Sequence, residues 1–233
     1  MSPLILHIET SGKACSVALS EGQDLIAEKI ILEDRSHAKS LTVMIQDILK
    51  STEKKPDAIA VSAGPGSYTG LRIGVSVAKA MCYASNIPLI AVPTLEIMFN
   101  HLQFHKQEQH MEHANANLFV PMIDARRMEV YQMIYNANGE IIEAVEPKII
   151  DETSYQDELK KHKLVFFGNG SEKCQNVIHH ENAMFVEGID PEAKHMISTA
   201  LRKYEAKDFE DVAYYEPFYL KAFMATKPKN LLF

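Results

Sequence analysis

The chain has 233 residues, 46% of them apolar, enough to bury one large core or two small ones. Its net charge of −7, with no run of Lys or Arg, excludes a protein that wraps nucleic acid by itself, because neutralising phosphates needs clustered cations. Three cysteines at wide spacing, Cys15, Cys82 and Cys174, mark neither a disulfide framework nor a CxxC metal site and read as buried apolar fillers.

In chain order, Leu4 to Glu9 reads as a strand, Ala14 to Ser20 as a second and Asp24 to Leu32 as a third, a meander closed by the turn Glu21-Gly22-Gln23. Glu9 cuts the first apolar run before it reaches signal-peptide length, and Arg72 and Lys79 interrupt the small-residue helix. The expectation is a cytoplasmic protein with no membrane segment. Ser36 is placed to cap a helix to Lys50 whose Leu41, Met44, Ile45, Ile48 and Leu49 share one stripe. A strand over 58–63, a glycine turn, a helix over 71–85 and a buried strand over 88–92 complete the first half.

Residues 101–117, rich in His, Gln, Glu and Asn, read as a polar linker. The same plan then returns: strands over 118–124, 129–135 and 141–150, a helix over 153–161, a strand over 163–167, a turn Gly168-Asn169-Gly170-Ser171, a helix to about His179 and a strand over 183–186. Asp190 as N-cap and Pro191 as first residue open a last helix to about Tyr204. Each half ends its first strand in an acid, Glu9 or Asp124, and follows its fourth with a glycine turn. These residues predict an α/β protein of duplicated mixed-sheet units: a first lobe over 1–100, a second over 118–207, and a tail over 208–233 packing back on the first lobe.

The most informative stretch runs from Asp57 to Lys79. An apolar strand passes through Gly64-Pro65-Gly66-Ser67 into a helix, an order that aims helix N-terminal amides at an anion. Yet Gly64, Gly66 and Gly70 are spaced G-x-G-x-x-x-G, one residue longer than the dinucleotide fingerprint, and no Gly-Lys-Ser/Thr follows. Spacing alone leaves the ligand undefined.

Three segments carry a closer resemblance: Ile5 to Leu19, the Gly64 loop through Lys79 with Ile87 to Leu95, and Pro121-Met-Ile-Asp-Ala-Arg-Arg-Met-Glu-Val-Tyr131, with Ser62-Ala-Gly-Pro-Gly-Ser-Tyr-Thr-Gly-Leu-Arg-Ile-Gly74 the most specific run. Together they resemble the bacterial TsaB (YeaZ) family, within the two-lobed actin-like, ribonuclease-H-like ATPase superfamily. The resemblance implies a subunit of the machinery that puts a threonylcarbamoyl group on the adenosine beside the anticodon of tRNA. It also implies pairing with a larger catalytic paralogue, TsaD, cooperation with the ATPase TsaE, homodimers when TsaD is absent, and tRNA contact only through the complex.

The catalytic paralogues carry Asn-His-Leu-Glu-Gly-His after the corresponding strand, two imidazoles one helical turn apart for a metal. Aligned on Leu95-Glu96, those positions here are Thr94 and Met98, so no metal and no catalytic residue is expected. His101 and His105 do have i, i+4 spacing, and His110 and His113 follow, but they lie in the polar linker and read as solvated. A nuclease would need converging carboxylates, and the fourth strand ends Ser62-Ala63-Gly64 without one.

For a nucleotide-dependent enzyme of this fold, ATPase or peptidase-like, the second turn carries Arg126 and Arg127 where glycines would suit a phosphate. The residues available to hold an adenine nucleotide weakly are Glu9, Thr10, Ser11, Gly64, Pro65, Gly66, Ser67 and Arg126. Equally, they serve as a strand end and tight turns, and no cofactor is required. The helix after the loop is apolar nearly all round, which asks for cover on two sides. Its Ile73, Gly74, Val77, Ala78 and Met81, with Leu41, Met44, Ile45 and Ile48, are the expected partner interface.

Overall fold

Both faces of the first strand are buried because helices cover both sides of the sheet: Leu4–Glu9 (β1) turns Leu4, Leu6 and Ile8 to one side and Ile5, His7 and Glu9 to the other. The structure, a computed structural model, describes residues 2–32, 37–109 and 117–220, with 37, 38 and 106–109 by backbone alone. Cys15–Glu21 (β2) and Asp24–Ile31 (β3) continue antiparallel from β1, and Ala58–Ser62 (β4) and Leu89–Val92 (β5) add on its other side in parallel. The order is β3-β2-β1-β4-β5.

Leu118–Asp124 (β6), Glu129–Asn136 (β7), Ile141–Ile149 (β8), Leu164–Phe167 (β9) and Ala183–Val186 (β10) repeat it as β8-β7-β6-β9-β10. Five strands of one order occur twice, so the duplication read from the sequence is a property of the fold. Among the described residues no helix is long and apolar enough to cross a membrane.

His37–Thr52 (α1) and Tyr68–Ser85 (α2) lie on one face of the first sheet. Ser36, the expected cap of α1, falls outside the described residues. Helix α2 starts three residues earlier than predicted because Ser67 caps it, its Oγ accepting from Gly70 N at 3.2 Å. Thr94–Gln109 (α3) joins the lobes. In the second lobe, Gln156–Leu159 (α4) and Ser171–Cys174 (α5) are single turns, shorter than predicted. A 3-10 turn, Ala193–Met196, leads into Ile197–Glu205 (α6).

Tertiary packing corrects three expectations. The linker does not begin at 101: α3 runs on to Gln109, and Leu102 is fully buried with Leu95, Met98 and Phe99 against Phe119, Val165 and Phe167 of the second lobe. Nor does the second lobe extend to 207. Met196 and Ala200 sit in a core with Ile5, Ala60 and Ile90 of the first sheet, and Ala193 N donates to Ser16 Oγ at 2.9 Å. Asp190 and Pro191 therefore open no helix; the Asp190 carbonyl bonds His101 Nδ1 at 2.6 Å, and Pro191 packs beside Gly12.

The third correction concerns the expected interface. Leu41, Met44, Ile45 and Ile48 are at most 4% exposed, packed under the first sheet with Leu6, Ile8, Val17 and Leu19. Gly74 and Ala78 are buried as well. The apolar stripe of α1 is satisfied by its own sheet, at about 1.5–3 kcal/mol for each large side chain. Of the nine residues, Ile73, Val77 and Met81 alone stay half-buried. The exposed ridge of α2 is instead Arg72, Ser76, Ala80, Tyr83 and Ala84.

Candidate functional site

Glu9, Thr10, Ser11, Gly64, Pro65, Gly66 and Ser67 do converge, where β1 and β4 end side by side. Ser67 N donates to Ser11 O at 2.7 Å, Thr10 Oγ1 to Gly70 O at 2.8 Å and Thr10 N to Ser62 Oγ at 3.4 Å. The β1–β2 hairpin thus lies directly on the glycine loop. On its other flanks Thr94 N donates to Gly64 O at 3.0 Å, and Phe218 N to Ala63 O at 2.8 Å.

Each glycine of the loop is approached by an atom of this chain. A Cβ on Gly66 would lie 2.7 Å from Ser11 Cβ and O, one on Gly70 2.0 Å from Thr10 O, and one on Gly74 2.3 Å from Thr10 Oγ1. Gly64 has φ +100°, and a Cβ there would meet Phe218 O at 2.6 Å. The spacing that resembles a phosphate loop is accounted for by close packing of the hairpin and the tail. Gly74, which the sequence suggested for a partner interface, extends this packing by one more helical turn.

Glu9 is fully buried, and desolvation pushes its carboxyl up to about 7 against the opposing pull of Ser11, Ser62 and the Gly12 amide. Ser11 N donates to Oε1, while Oε2 has no partner among the described residues. His7, two residues earlier on the strand, is buried against Ser20 Oγ at 2.9 Å and held down to about 3 by desolvation. With its carboxyl pushed up to about 7, Glu9 holds less negative charge for a cation near neutral pH than an exposed carboxylate would.

The second lobe answers with a different arrangement. Asp124 is exposed at the end of β6 and its Oδ1 accepts from Arg126 N at 2.9 Å and from Lys173 Nζ. Lys173, on α5, also donates to Arg127 O at 2.7 Å and Glu129 O at 2.6 Å. Its role was missed in the sequence, since nothing about a lysine after a glycine turn says which loop it will reach. Arg126 and Arg127 have φ +72° and +51°, a left-handed pair costing about 1–2 kcal/mol per residue without a glycine. No hydrogen bond or ion pair among the described residues joins Arg126 to the Glu9 cluster.

Thr94 and Met98 are buried, and Met98 sits against Gly168, whose Cβ would lie 2.1 Å from the methionine Cε. The position where a paralogue carries imidazole is filled by a thioether in the apolar layer between the lobes. His101, expected to be solvated, instead stacks on buried His195 with centroids 4.1 Å apart and planes 9° apart. Among the described residues no three His, Cys, Asp or Glu side chains are grouped to hold a metal ion.

Two lobes of one topology, each with an acid at the end of its first strand and a glycine turn after its fourth, define an actin-like, ribonuclease-H-like two-lobed protein. A family model described as TsaD, tRNA N6-adenosine threonylcarbamoyltransferase, matches residues 25–228. An Escherichia coli protein, tRNA threonylcarbamoyladenosine biosynthesis protein TsaB, is 30% identical over 96% of this chain and 96% of its own length. A Bacillus subtilis protein of the same name is 33% identical over 61% of this chain, a segment that is 59% of that relative. A Pseudomonas aeruginosa crystal structure, of an uncharacterized protein with similarity to peptidase YEAZ, superposes with a TM-score of 0.79 at 26% identity, covering 95% of this chain and all of that one. The chain belongs to the TsaB (YeaZ) family.

Proposed function

We propose that this chain is a non-catalytic partner in the complex that transfers a threonylcarbamoyl group to the adenosine beside the anticodon of tRNA. It pairs with the catalytic paralogue TsaD, works with the ATPase TsaE, and forms homodimers when TsaD is absent. It acts in the cytoplasm and requires no cofactor of its own. The name carried by its relatives supports the pathway. One observation carries the non-catalytic part: where the paralogues place two imidazoles, this chain has Thr94 and Met98, the latter lodged in an apolar layer. A thioether and a hydroxyl do not replace the basic imidazole ligands of that site.

Reconstitution tests the reading. With TsaD, TsaE, tRNA and threonylcarbamoyl-adenylate present, omitting this chain is expected to abolish transfer, and a TsaD active-site variant is expected to be inactive even with it. Transfer or sustained ATP turnover by this chain alone would refute the proposal.

For the partner surface, the side chains left uncovered on α2 are better candidates than those the sequence suggests. Ala80 and Ala84 are exposed, small and next to half-buried Val77 and Met81. Ala80→Arg with Ala84→Arg is expected to separate the chain from TsaD while leaving its own melting temperature nearly unchanged, since exposed substitutions stay within about 0.5 kcal/mol. Co-purification and size-exclusion chromatography read the first outcome, and thermal unfolding the second. Retained pairing would place the interface elsewhere. Val77→Glu is less clean, because Val77 packs on the lobe's own core.

A further inference from the structure

The turn between β6 and β7 carries two adjacent arginines whose side chains the other described residues leave unused. Arg126 and Arg127 are exposed, and among the described residues neither guanidinium has an ion pair or a hydrogen bond. The neighbouring carboxylate that might have held them, Asp124, is instead paired with Lys173. On a chain of net charge −7, Arg126 and Arg127 are two adjacent cations with no carboxylate partner among the described residues.

Their backbone is pinned. Ala125 N donates to Glu129 O at 3.0 Å and Glu129 N to Arg126 O at 3.2 Å, closing the turn from within. From outside, Lys173 Nζ holds the Arg127 and Glu129 carbonyls. Both arginines sit at positive φ, where glycine or asparagine would be relaxed. Strained, rigid and charge-exposed residues of this kind are presented to a ligand outside the chain.

We propose that Arg126 and Arg127 form a contact for the phosphodiester backbone of RNA. Guanidinium forks match phosphate oxygens in bidentate geometry, and two of them on a fixed turn suit a polyanion better than a single terminal phosphate. A mononucleotide is disfavoured because the facing half of such a clamp, the glycine loop, is filled by Ser11, Thr10 and Phe218. A single cationic tip also fits an acidic chain that meets RNA only beside a partner supplying most of the neutralising charge. The inference rests on the reading above that the chain works on tRNA within a complex.

The test uses the heterodimer with TsaD and an unmodified tRNA transcript, with binding followed by fluorescence anisotropy across a KCl series. Arg126→Ala with Arg127→Ala is expected to weaken tRNA binding about tenfold and to flatten the log–log salt dependence by about 1.5, two phosphate contacts' worth. Arg126→Gly with Arg127→Gly should lose the same affinity while raising the melting temperature, which separates lost contact from lost structure. Unchanged affinity and slope in an assembled heterodimer would overturn the proposal. So would loss of ATP binding with tRNA binding intact, or loss of heterodimer assembly, which would assign the turn to a nucleotide or a protein partner. Failure of the wild-type chain to support transfer in reconstitution would count against the functional reading instead, leaving the tRNA measurement to be judged separately.

Discussion

Gly70→Ala is expected to cost at least about 3 kcal/mol of stability, or to prevent folding. The added methyl would lie 2.0 Å from the Thr10 carbonyl oxygen, and neither partner is a flexible side chain that could swing aside. Overpacking in a core costs about 1–3 kcal/mol when side chains can adjust, and here backbone would have to move. That movement would break the Thr10 Oγ1 bond to Gly70 O and the Ser67 N bond to Ser11 O, both below 3 Å. Gly188→Ala gives the comparison, since a Cβ there meets nothing within 4 Å and only its φ of +75° is unfavourable, worth about 1 kcal/mol. Urea unfolding of the two variants measures the difference. A Gly70→Ala chain as stable as its parent would mean that the hairpin stands away from the loop, leaving the helix amides free for an anion.

Glu9→Gln is expected to stabilise the protein by about 3 kcal/mol at pH 8 and to change it little at pH 4.5. The sign follows from the raised pKa. Between the ordinary value of 4.5 and the folded value of about 7, the folded chain keeps a proton that the unfolded chain has lost, so stability falls as pH rises through this window. Glutamine carries no charge to desolvate and removes that loss. His7 and His195 act oppositely: burial holds both down to about 3, with the charges of His101 and Lys194 adding to burial at His195. Their contribution is complete above about 6.5 and is lost as pH falls. Chemical denaturation of parent and variant from pH 4.5 to 8 isolates the Glu9 share as a difference that grows with pH. A constant difference would mean that Glu9 is charged throughout.

Much of the architecture was legible in the residues. Alternating and continuous apolar runs marked all ten strands of the described residues, because a strand's burial pattern is a local property of its sequence. The repeat of meander, helix, strand and glycine turn marked the duplication, and β3-β2-β1-β4-β5 against β8-β7-β6-β9-β10 is its tertiary expression. The convergence of Glu9, Thr10 and Ser11 with the Gly64 loop followed from that topology, since β1 and β4 are neighbours. What stayed hidden was which atoms approach the glycines. A phosphate and a packed carbonyl place the same demand on a backbone, namely that no Cβ be present, and a sequence records the demand without its source.

The helical segments were less legible for a related reason. Amphipathicity tells that a face must be covered but not by what, so the stripe of Leu41, Met44, Ile45 and Ile48 suited a partner as well as the sheet that covers it. His101 and His105 looked solvated beside polar neighbours, yet His101 stacks on His195, brought from 94 residues away by the return of the chain to the first lobe. By itself the sequence determined the two-lobed plan, the family, and the replacement of the paralogues' imidazoles by Thr94 and Met98, because each is written in local residue identity. Tertiary structure alone decided that the glycines serve the Ser11 hairpin and the Phe218 tail, that Lys173 takes Asp124 away from the arginines, and that the stripe of α1 is covered by its own sheet while Ala80, Tyr83 and Ala84 of α2 stay exposed. Those outcomes depend on which distant atoms meet, and distance along the chain does not record it.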